Sequence, residues 1–180
     1  MTLTHRLAQP SDLDALRAVM ALAIAELQKT FLDDAQIAAS HAVMGLDTQL
    51  ITDRTYFVIE AGDRIAGCGG WSHRATLYGG DHSSDLRDPA KLNPATDAAR
   101  VRAMYTHPAF ARQGVGRMVM ALCEAAAQQA GFARTELMAT LSGEPLYRAC
   151  GYTPIEHVVA SGPNRASVPL IRMGKRLTTG

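Results

Sequence analysis

A chain of 180 residues, 47% apolar and 19% charged, is long enough to form one domain over residues 1–180 whose core needs neither disulfides nor metal. A formal charge of +1 excludes a strongly basic nucleic-acid surface, and no polar tract is long enough for extended disorder. Cys68, Cys123 and Cys150 form no CxxC pair and the six histidines show no HxH or HxxxH spacing, so no metal site is expected and the cysteines read as small core residues.

The N-terminal residues lack a basic segment followed by an apolar h-region, and no run approaches the roughly 20 apolar residues of a membrane span. A cytoplasmic protein with no membrane partner is the expectation. Leu3 to Ala8 reads as a first strand, closed by Gln9-Pro10. Ser11 then offers an N-cap with Asp14 as its capping-box partner, and Leu13, Leu16, Met20, Ala23, Ile24 and Leu27 continue at helical spacing to about Gln28. A second helix is predicted from Asp33 or Asp34 to Met44, stopped by Gly45, with a short helical turn from Asp47 to Ile51.

Thr55 to Glu60 is dense in β-branched and aromatic residues, and Ala61-Gly62-Asp63 turns it into a second arm, Arg64 to Trp71, making a hairpin. Gly67, Gly69 and Gly70 weaken that arm and imply a bulge, close approach of a ligand, or tight packing of a neighbouring helix. From Ser72 to Asp97 the chain is polar and punctuated by Gly79-Gly80, Asp88-Pro89 and Asn93-Pro94. Connections this long inside a compact domain are often functional or mobile.

The run from Ala99 to Ala127 organises the rest. Val101, Ala103 and Tyr105 alternate with Arg100, Arg102, Met104 and Thr106 as in a strand, which His107-Pro108 ends. After Gly114-Val115-Gly116 the period changes: Val115, Met118, Val119, Leu122, Cys123 and Ala126 fall on one helical stripe, and Gly131 is a natural stop. A strand that passes through glycines into a helix points unpaired N–H groups and the positive end of the helix dipole at one spot, which favours phosphate. The third glycine of a dinucleotide fingerprint is absent, Val119 standing in its place, and there is no GxxxxGK[ST] loop. Arg112, Gln113 and Arg117 flank the bare amides and suit a diphosphate.

Arg134 to Thr140 reads as a further strand and Ser142 to Cys150 as a short helix ended by Gly151. Tyr152 to Val159 and Val168 to Leu177 are two last strands, separated by the turn-rich Ala160 to Asn164. The order β-α-α-β-β-β-α-β-α-β-β describes one mixed α/β domain.

THPAFARQGVGRMVMALCEAA resembles motif A of the GNAT superfamily of N-acetyltransferases, roughly (Q/R)-x-x-G-x-(G/A) after a strand, with Ala111 departing from the first position. ATLSGEPLYRACGY, Ala139 to Tyr152, resembles the family's motif B, with Ser142 where an asparagine is common. The resemblance covers most of the chain. It implies a single α/β domain with a central, mostly antiparallel mixed sheet, splayed at an acyl-CoA cleft, and helices on both faces.

It further implies acetyl-CoA as acyl donor and direct attack by a primary amine in a ternary complex. In this reading Met104, Tyr105 and Thr106 meet the pantetheine and acetyl group, with backbone N–H groups stabilising the oxyanion. Arg112, Gln113, Gly114, Val115, Gly116 and Arg117 hold the pyrophosphate, and Ser142 faces the pantetheine arm. Tyr147 matches the tyrosine that protonates the departing thiolate. No acidic residue lies on the strand from Ala99 to Thr106, where several members carry one, which leaves Glu60, His73, Glu136, Glu156 and His157 as unranked bases. Trp71 and Arg74, at the start of the long loop, are candidate substrate contacts. With no extended charged groove legible, a small-molecule amine is favoured over a protein acceptor. A homodimer is common in the family, although no stripe in this sequence demonstrates one. The competing readings are a CoA-binding sensor without catalysis and a nucleotide-binding module using the same turn.

Overall fold

The computed structural model describes residues 2–162 and 164–178; Pro163, in the turn expected before the last strand, lies outside them. The strands are β1 (Leu3–Leu7), β2 (Tyr56–Ala61), β3 (Arg64–Ser72), β4 (Ala99–Thr106), β5 (Arg134–Thr140), β6 (Thr153–Ser161) and β7 (Ser167–Arg176). The helices are α1 (Leu13–Leu27), α2 (Asp34–Val43), α3 (Gln49–Thr52), α4 (Val115–Gln129) and α5 (Glu144–Ala149). One sheet of seven strands runs in the order β1-β2-β3-β4-β5-β7-β6, antiparallel throughout except for the parallel pair β4 and β5. No helix among the described residues is long and apolar enough to cross a membrane.

Apolar periodicity decides which face each helix covers. The stripe of α4 packs Val115, Val119, Met120, Cys123 and Ala127 onto Ile59, Val101, Leu137 and Met173, with Tyr147 of α5 in the same cluster. The opposite face carries two separate clusters. Leu16, Met20 and Ile24 of α1 meet Tyr56, Val58, Cys68 and Tyr105, whereas Ala39 and Val43 of α2 meet Val168 and Leu170. The gap between those two clusters lies where β4 and β5 part. Cys68 and Cys123 are fully buried, and burial pushes the Cys68 thiol up to about 12, so it packs as an inert small residue.

Three local expectations change. The entry to α1 is not capped by Ser11. The chain enters through a 3-10 turn at Pro10–Asp12, because a proline suits the first helical position and moves the start back to Gln9. The Asp12 carboxylate accepts from the Gln9 N–H at 2.7 Å and from Arg6 Nη1 at 2.7 Å, and Arg6 holds that carboxyl below its ordinary range.

The alternation of β4 is also broken. Its register on β3 shifts between Cys68 and Gly70, and Ala103 sits at φ 50°. This bulge leaves Val101 packed toward α4 but turns Tyr105 to the α1 side. The glycines of β3 serve helix packing: a Cβ on Gly69 would lie 2.6 Å from Val119 Cγ1, and one on Gly67 2.5 Å from Val115 Cγ1.

The long loop is the third. It is tied along its length, with Arg74 bridged to Lys91, the Ala75 N–H on Ala90 O at 2.9 Å and the Leu92 N–H on His73 O at 2.7 Å.

Candidate functional site

The parallel pair is short. β4 and β5 are matched only at Ala99 with Thr135 and Arg100 with Glu136, after which the bulge carries β4 away while β5 stays paired to β7 from Arg134 to Thr140. From Val101 to Thr106 the β5-facing side of β4 therefore has no strand partner. Main-chain N–H and C=O groups left at such an opening need a hydrogen-bonding neighbour.

A cleft of about 710 Å³ occupies the opening, a volume typical of small-molecule sites. It meets a narrower chamber of about 70 Å³, with Met44, Met104, Tyr105, Thr140 and Tyr147 in the walls of both. The two together form a passage past the splayed strands. Met104, Tyr105, Thr106 and Ser142 line the wide part, and Ser142 Oγ lies 3.1 Å from Thr140 Oγ1.

The wide end is closed by the turn that precedes α4. No turn or cap hydrogen bond engages the N–H groups of residues 112–117, and the first turn of a helix leaves its own amides without acceptors. Gly114, the N-cap, sits at φ 88°, a conformation that suits glycine, and a Cβ built there meets nothing within 4 Å. Arg112, Gly114, Val115, Gly116 and Arg117 line the cleft. Gln113 does not, because its Nε2 donates back to Ala109 O at 3.1 Å.

Tyr147 is 9% exposed and sits at the junction of cleft and chamber. Its ring fits closely over Gly143, where a Cβ would come within 2.9 Å of Cε2, and leans on Tyr152 at 6.3 Å between centroids. Among the described residues its hydroxyl has no hydrogen-bond partner, so the local satisfaction that would make it merely structural is missing. Burial raises the phenol well above its ordinary range, which keeps it a neutral donor.

Neither candidate substrate contact reaches this passage. Trp71 is 8% exposed and packs edge-on against Phe132 at 6.1 Å on the α4 side of the sheet. Its large apolar area is worth more inside the core than at a strand end. The Arg74 guanidinium is taken by Asp53, with Nε on Oδ2 at 2.7 Å and Nη2 on Oδ1 at 2.9 Å, and pulls that carboxyl below its ordinary range.

The candidate bases lie elsewhere as well. Glu136 accepts from Arg100 and Arg172, Glu60 from Arg6, His73 meets Trp71 edge-on, and Glu156 and His157 are exposed on β6. Among the described residues no group of three His, Cys, Asp or Glu is placed to hold a metal ion.

The chamber walls include residues that periodicity did not single out. Arg102 projects from β4, Leu77, Tyr78 and Gly79 come from the long loop, and Val43, Met44 and Gly45 follow from α2. The signal for Arg102 was an arginine in the middle of a strand otherwise destined for burial. Its meaning depends on the bulge beside it.

The family model for the acetyltransferase (GNAT) domain matches residues 52–154, more than half of the chain. No curated protein sequence matches it. Among solved structures, the chain is similar to a GCN5-related N-acetyltransferase (aminotransferase, class-II) from Rhodopseudomonas palustris, with TM-score 0.73, 16% identity, and coverage of 98% of this chain and 97% of that one. The yncA protein from Salmonella typhimurium, solved with its cofactor acetyl-CoA, gives TM-score 0.62 at 16% identity over 99% of this chain and 95% of that one. The ribosomal-protein-S18-alanine N-acetyltransferase from Escherichia coli gives TM-score 0.61 at 15% identity over 99% and 96%. At such identities these likenesses establish a shared fold.

Proposed function

Because the chain belongs to the GNAT acetyltransferase family, we propose that it transfers the acetyl group of acetyl-CoA to a primary amine of a small molecule. The observation that carries this reading is the passage itself, with a cradle of bare amides at one end, an unpaired strand edge in the middle and a free phenol at the junction. The residues present fit the donor: the cradle carries glycine at Gly114 and Gly116, Arg112 and Arg117 line the cleft beside them, and the cleft has the volume for the pantetheine arm. The yncA structure holding acetyl-CoA supports the same donor here.

Acetyl-CoA supplies an activated acyl thioester. The N–H groups of residues 112–117 hold the pyrophosphate, with Arg112 and Arg117 adding charge. The edge of β4 at Met104 to Thr106 orients the pantetheine and presents main-chain donors toward the thioester oxygen. Tyr147 donates its hydroxyl proton toward the sulfur. The narrowness of the chamber and the loop that roofs it favour a small acceptor over a folded protein.

The passage lining contains no Asp, Glu or His among the described residues, so the acceptor enters as the free amine or loses its proton to water. The pH dependence follows. kcat/KM for the acceptor should rise with unit slope in pH until the amine's own pKa is reached, without an inflection from a side-chain base. Because Tyr147 is raised above the ordinary phenol value of about 10, no falling limb should appear below that pH. Thiol release from acetyl-CoA across a broad panel of amines, with the acetylated product identified by mass, tests the proposal. Tight CoA binding without thiol release would instead make the protein a non-catalytic CoA sensor.

A further inference from the structure

Cleft and chamber together are lined by three arginines and, among the described residues, by no acidic side chain. Arg112 and Arg117 stand at the donor end. Arg102 alone faces the chamber, just before the bulge and two residues from Met104 at the junction.

Arg102 is 3% exposed and is held by three partners. Nη2 donates to Gly79 O at 2.9 Å and to Asp47 Oδ2 at 3.3 Å, and Nη1 reaches Thr76 O at 3.5 Å. Its remaining two N–H groups, at Nε and Nη1, have no partner among the described residues. Asp47 is shared, its other oxygen accepting from Arg87 at 2.9 Å, and Arg87 in turn donates to Asp81 Oδ1 at 3.2 Å. Burial draws the Arg102 pKa down and Asp47 opposes it, and an arginine remains a cation at neutral pH. The rest of the chamber wall mixes apolar side chains such as Val43, Leu77 and Leu170 with Tyr78, Thr140 and Tyr147.

A buried guanidinium with unused donors, lining a chamber whose wall carries no carboxylate among the described residues, suits an anionic group. From this we infer that Arg102 selects the acceptor, and that the acceptor is an amine carrying a carboxylate close to its amino group on an apolar body, an amino-acid-like substrate and not a polyamine. The inference rests on the acetyl-transfer reading above. The carboxylate accepts from a free N–H of Arg102, and this contact turns the amine toward Met104 and Tyr147. A polycationic acceptor would place a second positive charge against Arg102 with nothing in the wall to balance it.

The test uses matched acceptors: L-leucine, L-leucinamide, isopentylamine and spermidine, followed by the same amino acid, amide and amine sets built on smaller side chains. Leucinamide is less basic than leucine and presents more free amine at neutral pH, so a preference for the acid cannot come from amine ionisation. The carboxylate acceptors should show kcat/KM higher than their amides by on the order of 10 to 10²-fold, the range of a hydrogen bond to a charged group. Arg102→Gln should collapse that ratio toward one without changing CoA affinity, and Arg102→Lys should restore part of it. The wild-type comparison needs no variant and stands even where Arg102→Gln unfolds. Equal rates on acid and amide, or a preference for spermidine, would overturn the inference while leaving acetyl transfer intact. Thiol release from none of the amines would overturn the transfer reading itself, and the inference with it.

Discussion

Tyr147→Phe should lower kcat by on the order of 10²-fold, the usual contribution of a positioned general acid, with CoA affinity and thermal stability little changed. The expectation follows from the way the ring and the hydroxyl are used. The ring is held by the body of the protein: it lies over Gly143, leans on Tyr152 and belongs to the α4-side core, all of which phenylalanine reproduces. The hydroxyl has no partner within the described chain, so its removal orphans nothing. What is lost is a donor at the junction of cleft and chamber. Equal falls in kcat and kcat/KM would mark an interaction made in the transition state alone. Unchanged turnover would remove Tyr147 from the chemistry and leave it as packing.

Gly116→Glu should cost CoA affinity on the order of 10²-fold or more, because it sets a carboxylate among the amides proposed to receive the pyrophosphate; two like charges a few ångströms apart near a surface oppose one another by several kcal/mol. Gly116 opens α4 beside α5, where a Cβ would lie 2.5 Å from Leu146 Cδ2. Gly116→Ala separates charge from bulk, since it asks only the end of a flexible leucine to move. Isothermal titration with CoA should find the alanine variant close to wild type and the glutamate variant severely weakened. Similar losses in both would trace the effect to packing against α5. Retained affinity in the glutamate variant would place the diphosphate elsewhere.

The pattern of strands and helices could be read from the chain because each element carries its own period. The α4 stripe, the β-branched run of β2 and the glycine stop at Gly131 are local features. The architecture they compose, a mixed sheet splayed at one parallel pair with helices on both faces, came from the two motifs around Gly114 and Tyr147. What could not be read was set by contacts distant in sequence. The bulge at Ala103 has no signature of its own, since alanine is an ordinary strand-interior residue; the register shift against β3 creates it. Strict alternation therefore put Tyr105 on the wrong face.

Position in the chain alone puts Trp71 and Arg74 at the acceptor side. Phe132, contributed after α4, and Asp53, contributed before β2, claim them first. The role of Arg102 is illegible in the sequence for the converse reason. A buried arginine is tolerable only with partners, and Asp47 reaches it from the turn before α3 while Thr76 and Gly79 reach it from the long loop.

The central claim is that the opening between β4 and β5 receives the donor, with its diphosphate on the turn before α4 and its sulfur beside Tyr147. A crystal structure with CoA tests it most directly. The account predicts pyrophosphate oxygens on the N–H groups of residues 112–117, pantetheine along Met104 to Thr106, and the thiol within hydrogen-bonding reach of the Tyr147 hydroxyl. CoA bound with its diphosphate away from Gly114 and Gly116, or with its sulfur remote from Tyr147, would contradict it.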